Sequence, residues 1–353
     1  MDQNLLEEFR SLKRFLMVVG FGAFVALLFT LASPVIHVFV MLYAGVLFAL
    51  LLGGLAGFVE RWLGLSYRLA IVGVLATILI VSLLGGWFLG NRVSREISLI
   101  HEKAPRAQQD MEKMLKNTGW GRTLMSLTEE TEKLWSLGSG VAGNLTGFFS
   151  ETVGVVVSMG FVIVAGIYIS LDPKLYVNGL LQLFPPSRRE EVREALESIG
   201  KALQKWLVGR FVVMVTVGLL TTIGLLVAGI PGSLALGLLA GLMTFIPFLG
   251  PIIAVIPAFL VALIESPMLL VPVAIVFVVV HSIGGYVVTP LIQQRAVSLS
   301  PVVLLTAQVV IGLLLGIPGI VIATPLTITL IVIVQKTYIQ NYLGDSVKVL
   351  GED

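Results

Sequence analysis

The longest charge-poor stretch of the chain sets the tightest limit on what it can fold into. Between residues 211 and 335 the sequence carries only two formal charges, Glu265 and Arg295. In the whole chain, 57% of the residues are hydrophobic and 12% are charged, whereas about 25% are charged in soluble proteins. So few charges cannot cover this much apolar surface in water, and the excess must therefore face lipid. The sequence predicts an all-α, polytopic membrane protein.

The same composition argues against several functional classes. The net charge is +2, so the chain lacks the basic surface that a nucleic-acid partner requires. It has no cysteine and only three histidines, which are far apart in the sequence, so a metal site is not expected. No pattern typical of a hydrolase, a nucleotide-binding loop or a calcium-binding loop is present. We therefore predict a protein that is not an enzyme and that uses no cofactor, metal or nucleic acid.

Charges and apolar runs divide the chain into five regions. These are a three-span region over 1–90, an extracytoplasmic helical segment over 91–152, a fourth span with an amphipathic helix over 153–207, a transport core over 208–335 and a tail over 336–353. Lysine and arginine accumulate in short loops on the cytoplasmic side of a membrane. Their distribution predicts that the N-terminus and the C-terminus are both cytoplasmic, with 91–152 outside.

The amphipathic helix has a typical start signal. The sequence Ser187-Arg188-Arg189-Glu190 has the capping-box pattern, which predicts that Ser187 is the N-cap. Apolar residues then recur at helical spacing as far as Trp206. Such a helix either lies in the membrane interface, in contact with lipid, or packs against a neighbouring subunit. We favour the interface.

Two apolar segments of the transport core are too long to be single spans. About 20 residues suffice to cross the hydrocarbon of a bilayer, yet the segments 233–264 and 301–334 each exceed 30 residues. Both are interrupted midway by proline and glycine, which end or kink helices. The first break is Pro247–Pro251, and the second contains Pro318 and Gly319.

The two breaks also resemble each other. Gly250–Pro257 aligns with Pro318–Pro325 at an offset of 68, and each broken segment follows a plain span. If each break is a re-entrant hairpin, the two plain spans run in opposite directions, and the C-terminal half is an inverted repeat. Paired interruptions of this kind are typical of the binding site of a secondary transporter. We predict about six spans plus two re-entrant hairpins, with eight spans, two of them kinked, as the alternative.

The predicted solute site lies at these breaks. Irregular backbone at membrane depth is tolerated only where it is buried in protein or lines a cavity. Most serine and threonine side chains nearby are expected to bond to their own helix, and a structural hydrogen bond explains His281 as well as a functional role does. The predicted site residues are Thr244, Pro247, Gly250, Pro251, His281, Gln308, Pro318, Gly319 and Thr324.

Five short motifs carry a family resemblance. They are Leu171-Asp172-Pro173, Leu183-Phe184-Pro185-Pro186, the run from Gly241 to Pro251, the run from Gly285 to Pro290, and Gly316-Ile317-Pro318-Gly319. Through them residues 10–340 resemble the autoinducer-2 exporter (AI-2E) family. The resemblance implies a homo-oligomeric exporter of small polar molecules in the bacterial inner membrane, pentameric and elevator-like, with helical hairpins. Some relatives are assigned sodium/proton exchange instead.

The chain departs from that family pattern at two positions. Gly284 stands where many members have an acidic residue, and Arg210 stands where an amide is common. The function predicted is export of a small polar solute, such as an autoinducer-2-like signalling molecule, by an elevator or alternating-access mechanism. A cation antiporter or channel is the first alternative, although a core this poor in charge does not favour it. A non-transporting membrane scaffold is the second.

Overall fold

A computed structural model describes residues 35–80, 83, 152–288, 300–347 and 349–350. Within these residues the chain is helical and has no strand, which confirms the all-α prediction. Three features of the sequence analysis lie outside the described residues: the first predicted span, the predicted extracytoplasmic segment up to residue 151, and Arg295.

Among the described residues, four helices precede the predicted transport core. They are α1 (Val35–Leu63), α2 (Tyr67–Ile80), α3 (Thr152–Leu171) and α4 (Pro173–Leu181). Between α3 and α4 the chain bends by 89°. The bend falls at Asp172, whose carboxylate accepts a hydrogen bond from the backbone N–H of Leu175 and so caps α4.

The amphipathic segment and the fifth span form one helix, α5 (Arg189–Val227), of 39 residues. The predicted N-cap at Ser187 is wrong, because Pro186–Arg188 forms a 3₁₀ turn and Arg188 precedes the helix without a side-chain cap. A helix that continues straight into a span does not lie flat in the interface. Its apolar stripe is covered by the chain itself. The buried cluster consists of Leu47, Ala202, Leu203, Trp206, Leu207, Ile328, Val332 and Val349.

Four more helices of the core lie in the described residues. They are α6 (Ser233–Met243), α7 (Leu249–Glu265), α8 (Leu270–Ser282), which continues as a π turn, and α9 (Pro301–Ile333). Four helical segments among the described residues are long and apolar enough to cross a membrane, and five are if α3 and α4 count as one broken span. The chain is therefore a multi-pass membrane protein.

The helices α5 and α8 are antiparallel neighbours. Gly224 lies directly against Val276, and Gly284 lies against Val217, so residue numbers rise along one helix as they fall along the other. A single crossing by residues 233–264 would have made α5 and α8 parallel. The observed direction is the one that an inverted repeat of span plus hairpin requires.

The first broken segment folds back on itself, and we call α6 and α7 together hairpin 1. A Cβ atom at Gly250, in the first turn of α7, would overlap the carbonyl oxygen of Met243 at the end of α6. Ala240 on one arm and Ala254 and Ala258 on the other are buried in a single cluster. The turn between the arms, residues 244–248, is referred to below as tip 1.

The second broken segment also reverses, although α9 is helical on both sides of its break. Gly316 has φ 67° and ψ −149°, a backbone conformation open essentially to glycine alone. A Cβ atom at Gly319 would overlap the carbonyl oxygen of Ile311, and one at Gly312 would meet Ile320. Residues eight apart lie about 12 Å apart in a straight helix, so the two arms of α9 must be antiparallel. We call α9 hairpin 2 and residues 315–318 tip 2.

Candidate functional site

Tip 1 is held by two polar side chains from other parts of the core. The amide Nε2 of Gln308, on the first arm of hairpin 2, donates to the carbonyl oxygen of Pro247 over 2.9 Å. The guanidinium Nε of Arg210, on α5, donates to the carbonyl oxygen of Phe245 over 3.2 Å. The non-helical backbone of hairpin 1 is thus fixed between α5 and hairpin 2.

An aromatic ring on α5 packs against tip 1. The ring of Trp206 lies edge-on to the ring of Phe245, with centroids 5.7 Å apart. Trp206 is buried, and it stands one helical turn before Arg210 on the same face of α5. The indole therefore shields the Arg210–Phe245 hydrogen bond from the surroundings on this side.

The backbone of tip 1 contains a strained γ-turn. Phe248 has φ 64° and ψ −52°, and Leu249 N–H donates to the carbonyl oxygen of Pro247 across it over 2.7 Å. A γ-turn with positive φ at its central residue is rare, particularly for a bulky side chain. Strain of this kind persists only where the surroundings enforce it, and it is concentrated at functional sites. Gln308 bonds to the carbonyl that closes this turn.

Gln308 and Thr324 each have a buried polar atom without a partner. Both residues are almost completely buried, and neither Gln308 Oε1 nor Thr324 Oγ1 has a hydrogen-bond partner among the described residues. The orientation of the Gln308 amide follows from its contact, since the Pro247 carbonyl only accepts and must face the NH₂ group. Across hairpin 2, Gly312 faces Ile320 and Gly319 faces Ile311. If this antiparallel register continues along the two arms, Gln308 on the first arm lies opposite Thr324 on the second. The acceptor Gln308 Oε1 and the hydroxyl of Thr324 therefore lie at the same height along hairpin 2.

Two other predicted site residues also lie at or beside tip 1. Thr244 begins the turn and donates its hydroxyl to Ala240 over 2.6 Å, as expected for a threonine satisfied by its own helix. Pro251 follows Gly250 in the first turn of α7 and is half-buried. Together with Pro247, which bonds to Gln308, and Gly250, which packs against Met243, these residues form one cluster at tip 1.

Tip 2 does not meet tip 1. Pro318 is exposed and Gly319 packs within hairpin 2. Tip 1 contacts hairpin 2 at Gln308, about 12 Å along the arm from Gly316. The tip of one hairpin thus packs against the side of the other, instead of the two tips facing each other.

His281 stands apart from this cluster, on α8. Its Nδ1 lies 3.0 Å from the carbonyl oxygen of Phe277, and its ring stacks on the Phe277 ring. Its Nε2 has no partner among the described residues, and neither does the hydroxyl of the buried Thr221 on α5. The antiparallel register of α5 and α8 brings these two atoms to nearly the same level.

Arg210 was named from the sequence only as a departure from the family pattern and was not placed in the predicted site. It keeps only 8% of its surface exposed, although it is charged. Helical spacing places it one turn after Trp206 and two turns after Leu203, in the apolar stripe of α5. A charge in line with an apolar stripe was the available signal, and the predicted boundary at residue 207 concealed it.

The cluster at tip 1 offers a backbone carbonyl, an amide, a hydroxyl and a guanidinium within an apolar bundle. Apolar sites with a few convergent polar groups are typical of small-molecule binding. Among the described residues no group of three or more histidine, cysteine or acidic side chains could hold a metal ion.

Comparison with known proteins indicates a transport function. Several relatives carry the name "Putative transport protein". YueF of Bacillus subtilis (strain 168) is 26% identical over 226 residues, 62% of this chain and 61% of the relative. YrrI of the same organism is 31% identical over 163 residues, 46% of each chain. A protein of Thermotoga maritima is 23% identical over 241 residues, 67% of this chain and 72% of the relative.

The matched segment spans less than two thirds of the length of the two Bacillus relatives. The sequence model of the AI-2E family transporters, in contrast, matches residues 15–339, which is most of the chain. This match includes every helix of the transport core and confirms the resemblance carried by the five motifs. The chain therefore belongs to the AI-2E transporter family.

Proposed function

We propose that the protein is a secondary transporter that exports a small polar solute of the autoinducer-2 type across the plasma (inner) membrane of a bacterium. In this proposal both termini are cytoplasmic and the two hairpins re-enter the membrane. Membership of a transporter family supports transport. The observation that carries the site is tip 1, where strained, non-helical backbone is bonded to Gln308, whose Oε1 has no hydrogen-bond partner among the described residues.

In the proposed mechanism, the hydrogen bond between Gln308 and Pro247 breaks during transport. Gln308 belongs to the second repeat and Pro247 to the first, so this bond joins the two halves of the core. Alternating access requires one part of a carrier to move against the other around the site. Such a movement breaks the bond, and a solute hydroxyl can replace it at either partner. Binding of the solute is thereby coupled to the release of tip 1.

The exposed apolar surface of α8 supports contact with lipid and with other copies of the protein. Val271, Ile275 and Val278 are each more than half exposed along one face of α8. In a membrane such a face contacts lipid or a neighbouring helix. We propose that the protein forms a homo-oligomer, a pentamer by family resemblance, with lipid around it.

Release of autoinducer-2 from proteoliposomes loaded with it tests the function. We expect Pro247→Ala to lower the release rate about tenfold and Pro318→Ala to lower it less, because tip 2 does not contact tip 1. Pro173→Ala, at the start of α4, is the control and should match the wild type. Dissipation of a pH gradient without solute release would overturn the proposal in favour of an antiporter. If Pro247→Ala and Pro318→Ala both release the solute at the wild-type rate, the hairpin tips take no part in transport.

Single cysteines test the re-entrant arrangement, because the chain has none of its own. Ser266 follows hairpin 1 and Ser300 precedes hairpin 2. If both hairpins are re-entrant, a membrane-impermeant maleimide applied to intact cells labels Ser266→Cys and not Ser300→Cys. The opposite pattern would indicate eight plain spans.

A further inference from the structure

Arg210 is buried with most of its hydrogen-bonding capacity unused. A guanidinium has five N–H donors in a planar fork, and Nε is the only one with a hydrogen bond, to Phe245, among the described residues. No acidic side chain in the described part of the chain forms a salt bridge with it. The terminal nitrogens Nη1 and Nη2 have no protein acceptor there, and neither is among the fully enclosed polar atoms that lack a partner, so both keep some accessible surface.

The backbone of tip 1 does not neutralise this charge. The carboxyl end of a helix carries about half a negative charge and the amino end about half a positive charge. Helix α6 ends and helix α7 begins within the same short turn, at Met243 and Leu249. The two partial charges oppose each other, so in the described part of the chain most of the charge of Arg210 has no counter-charge. A lone buried cation is strongly unfavourable at a membrane span, and residues of this kind mark binding sites or ion paths.

A purely structural role does not require a guanidinium. Nε serves the Phe245 carbonyl as one neutral N–H donor would, and a glutamine amide supplies such a donor at no charge. What arginine adds is the paired Nη1 and Nη2 edge, which matches the two oxygens of a carboxylate or phosphate group.

We propose that Arg210 binds an oxyanion group, a carboxylate or a phosphate, at tip 1. This inference rests on the proposed function in assigning the oxyanion to the transported solute. Gln308 Oε1 and Thr324 Oγ1 then meet hydroxyl groups of the same molecule, so the solute class is a small hydroxylated anion. The Arg210 charge excludes small cations from the site by repulsion.

Binding of inorganic phosphate and acetate to the purified full-length protein tests the proposal without a transport assay. Trp206 is the reporter, because its ring contacts Phe245, whose carbonyl Arg210 binds. The chain has five tryptophans, and replacing Trp62, Trp87, Trp120 and Trp135 by phenylalanine leaves Trp206 alone. We expect a saturable change in its fluorescence with phosphate or acetate at constant ionic strength, and none with glycerol.

Three variants assign the binding to the guanidinium. Arg210→Gln keeps a donor for Phe245 and loses the charge, so we expect at least tenfold weaker binding. Arg210→Lys keeps the charge without the fork and should weaken binding severalfold; it also decides the question if the glutamine variant fails to fold. Arg193→Gln removes one charge from the exposed part of the same helix, where Arg193 pairs with Glu190, and should bind like the wild type. Equal binding by all variants, or no saturable binding by the parent protein, would overturn the proposal.

Two media distinguish a soluble oxyanion from a lipid headgroup. Equal affinity in lipid-free detergent and in nanodiscs of phosphatidylcholine and phosphatidylglycerol supports a soluble solute. Binding in detergent that disappears in nanodiscs supports the oxyanion site with a lipid phosphate in it. Autoinducer-2 release that persists while oxyanion binding is absent in both media would overturn the Arg210 inference and leave the transport function standing.

Discussion

The two hairpins share a sequence repeat but differ in their surroundings. Hairpin 1 packs against the rest of the core through buried residues on both arms, among them Ala240 and Ala254, although Leu242 and Ile252 are exposed. Hairpin 2 is exposed at its tip and just before it, where Leu313, Leu314 and Ile317 are 82%, 76% and 69% exposed. The offset of 68 that aligns the breaks also aligns Phe248 with Gly316, and both have positive φ. The repeat therefore specifies the backbone reversal, whereas the neighbours determine how firmly it is held.

This contrast assigns different roles to the two hairpins. Tip 1 is bonded to α5 and to the side of hairpin 2, and a change there reaches both repeats through Arg210 and Gln308. Tip 2 has no such bond among the described residues and contacts mainly its own arms. In the proposed function hairpin 1 therefore carries the solute site, and hairpin 2 supplies one wall of it.

A disulfide across hairpin 2 gives the largest expected effect. Gly312→Cys with Ile320→Cys should oxidise almost completely, because these positions face each other across the reversal at Gly316. The control pair, Leu305→Cys with Leu313→Cys, has the same spacing within one arm, about 12 Å apart, and should stay reduced. Counting free thiols with a maleimide reagent measures both. If the first pair also stays reduced, hairpin 2 is a straight helix and the comparison fails.

Close approach of the arms predicts the next largest effect. Gly250→Ala should lower the amount of folded protein sharply, because the new Cβ would overlap the Met243 carbonyl in a packed hairpin. Gly319→Ala meets Ile311 in the same way, but hairpin 2 can splay at its exposed tip, so its loss should be smaller. Size-exclusion chromatography after heating compares the two. Gly73→Ala, with open space around it, is the control. Equal losses at 250 and 319 would mean that packing does not distinguish the hairpins.

The bond between the repeats predicts a functional effect of intermediate size. Gln308→Leu removes the donor to Pro247 and should lower solute release about tenfold while the protein remains folded. Gln340→Leu removes a comparable bond from an amide to the carbonyl of Val347, outside the core, and is the matched control. Release measured in proteoliposomes decides the matter. Normal release by Gln308→Leu would mean that contact between the repeats is not part of the transport step.

How far the sequence predicts this molecule depends on which residues carry the information. The scarcity of charge and the proline–glycine breaks predict the core helices, since lipid and backbone hydrogen bonding leave few alternatives. The start of α5 was mispredicted because Pro185 and Pro186 favour a 3₁₀ turn over a capping box at Ser187. The bonds from Arg210 and Gln308 span 35 and 61 residues. No local pattern specifies which carbonyl such distant side chains will reach.

The smallest expected effect isolates the backbone strain that the two tips share. Phe248 has a φ of 64° and Gly316 a φ of 67°, yet only one of them is glycine. Replacing Phe248 by alanine or by glycine removes the same ring, so the difference between these variants reports the backbone alone. We expect Phe248→Gly to be more stable than Phe248→Ala by about 1 kcal/mol, because glycine adopts positive φ without a Cβ clash. In a helix interior the order is reversed, by about the same amount.

The matching change at the other tip completes this test. Gly316→Ala should destabilise hairpin 2 by about 1 kcal/mol or more, since its φ and ψ are accessible essentially only to glycine. Apparent melting temperatures of the three variants, measured under one set of conditions, give the order. If Phe248→Ala is as stable as Phe248→Gly, the γ-turn at tip 1 relaxes without its ring. The strain would then be a consequence of packing the phenylalanine and not a property of the repeat. If the expected order holds, tip 1 keeps a strained conformation that a moving hairpin can release.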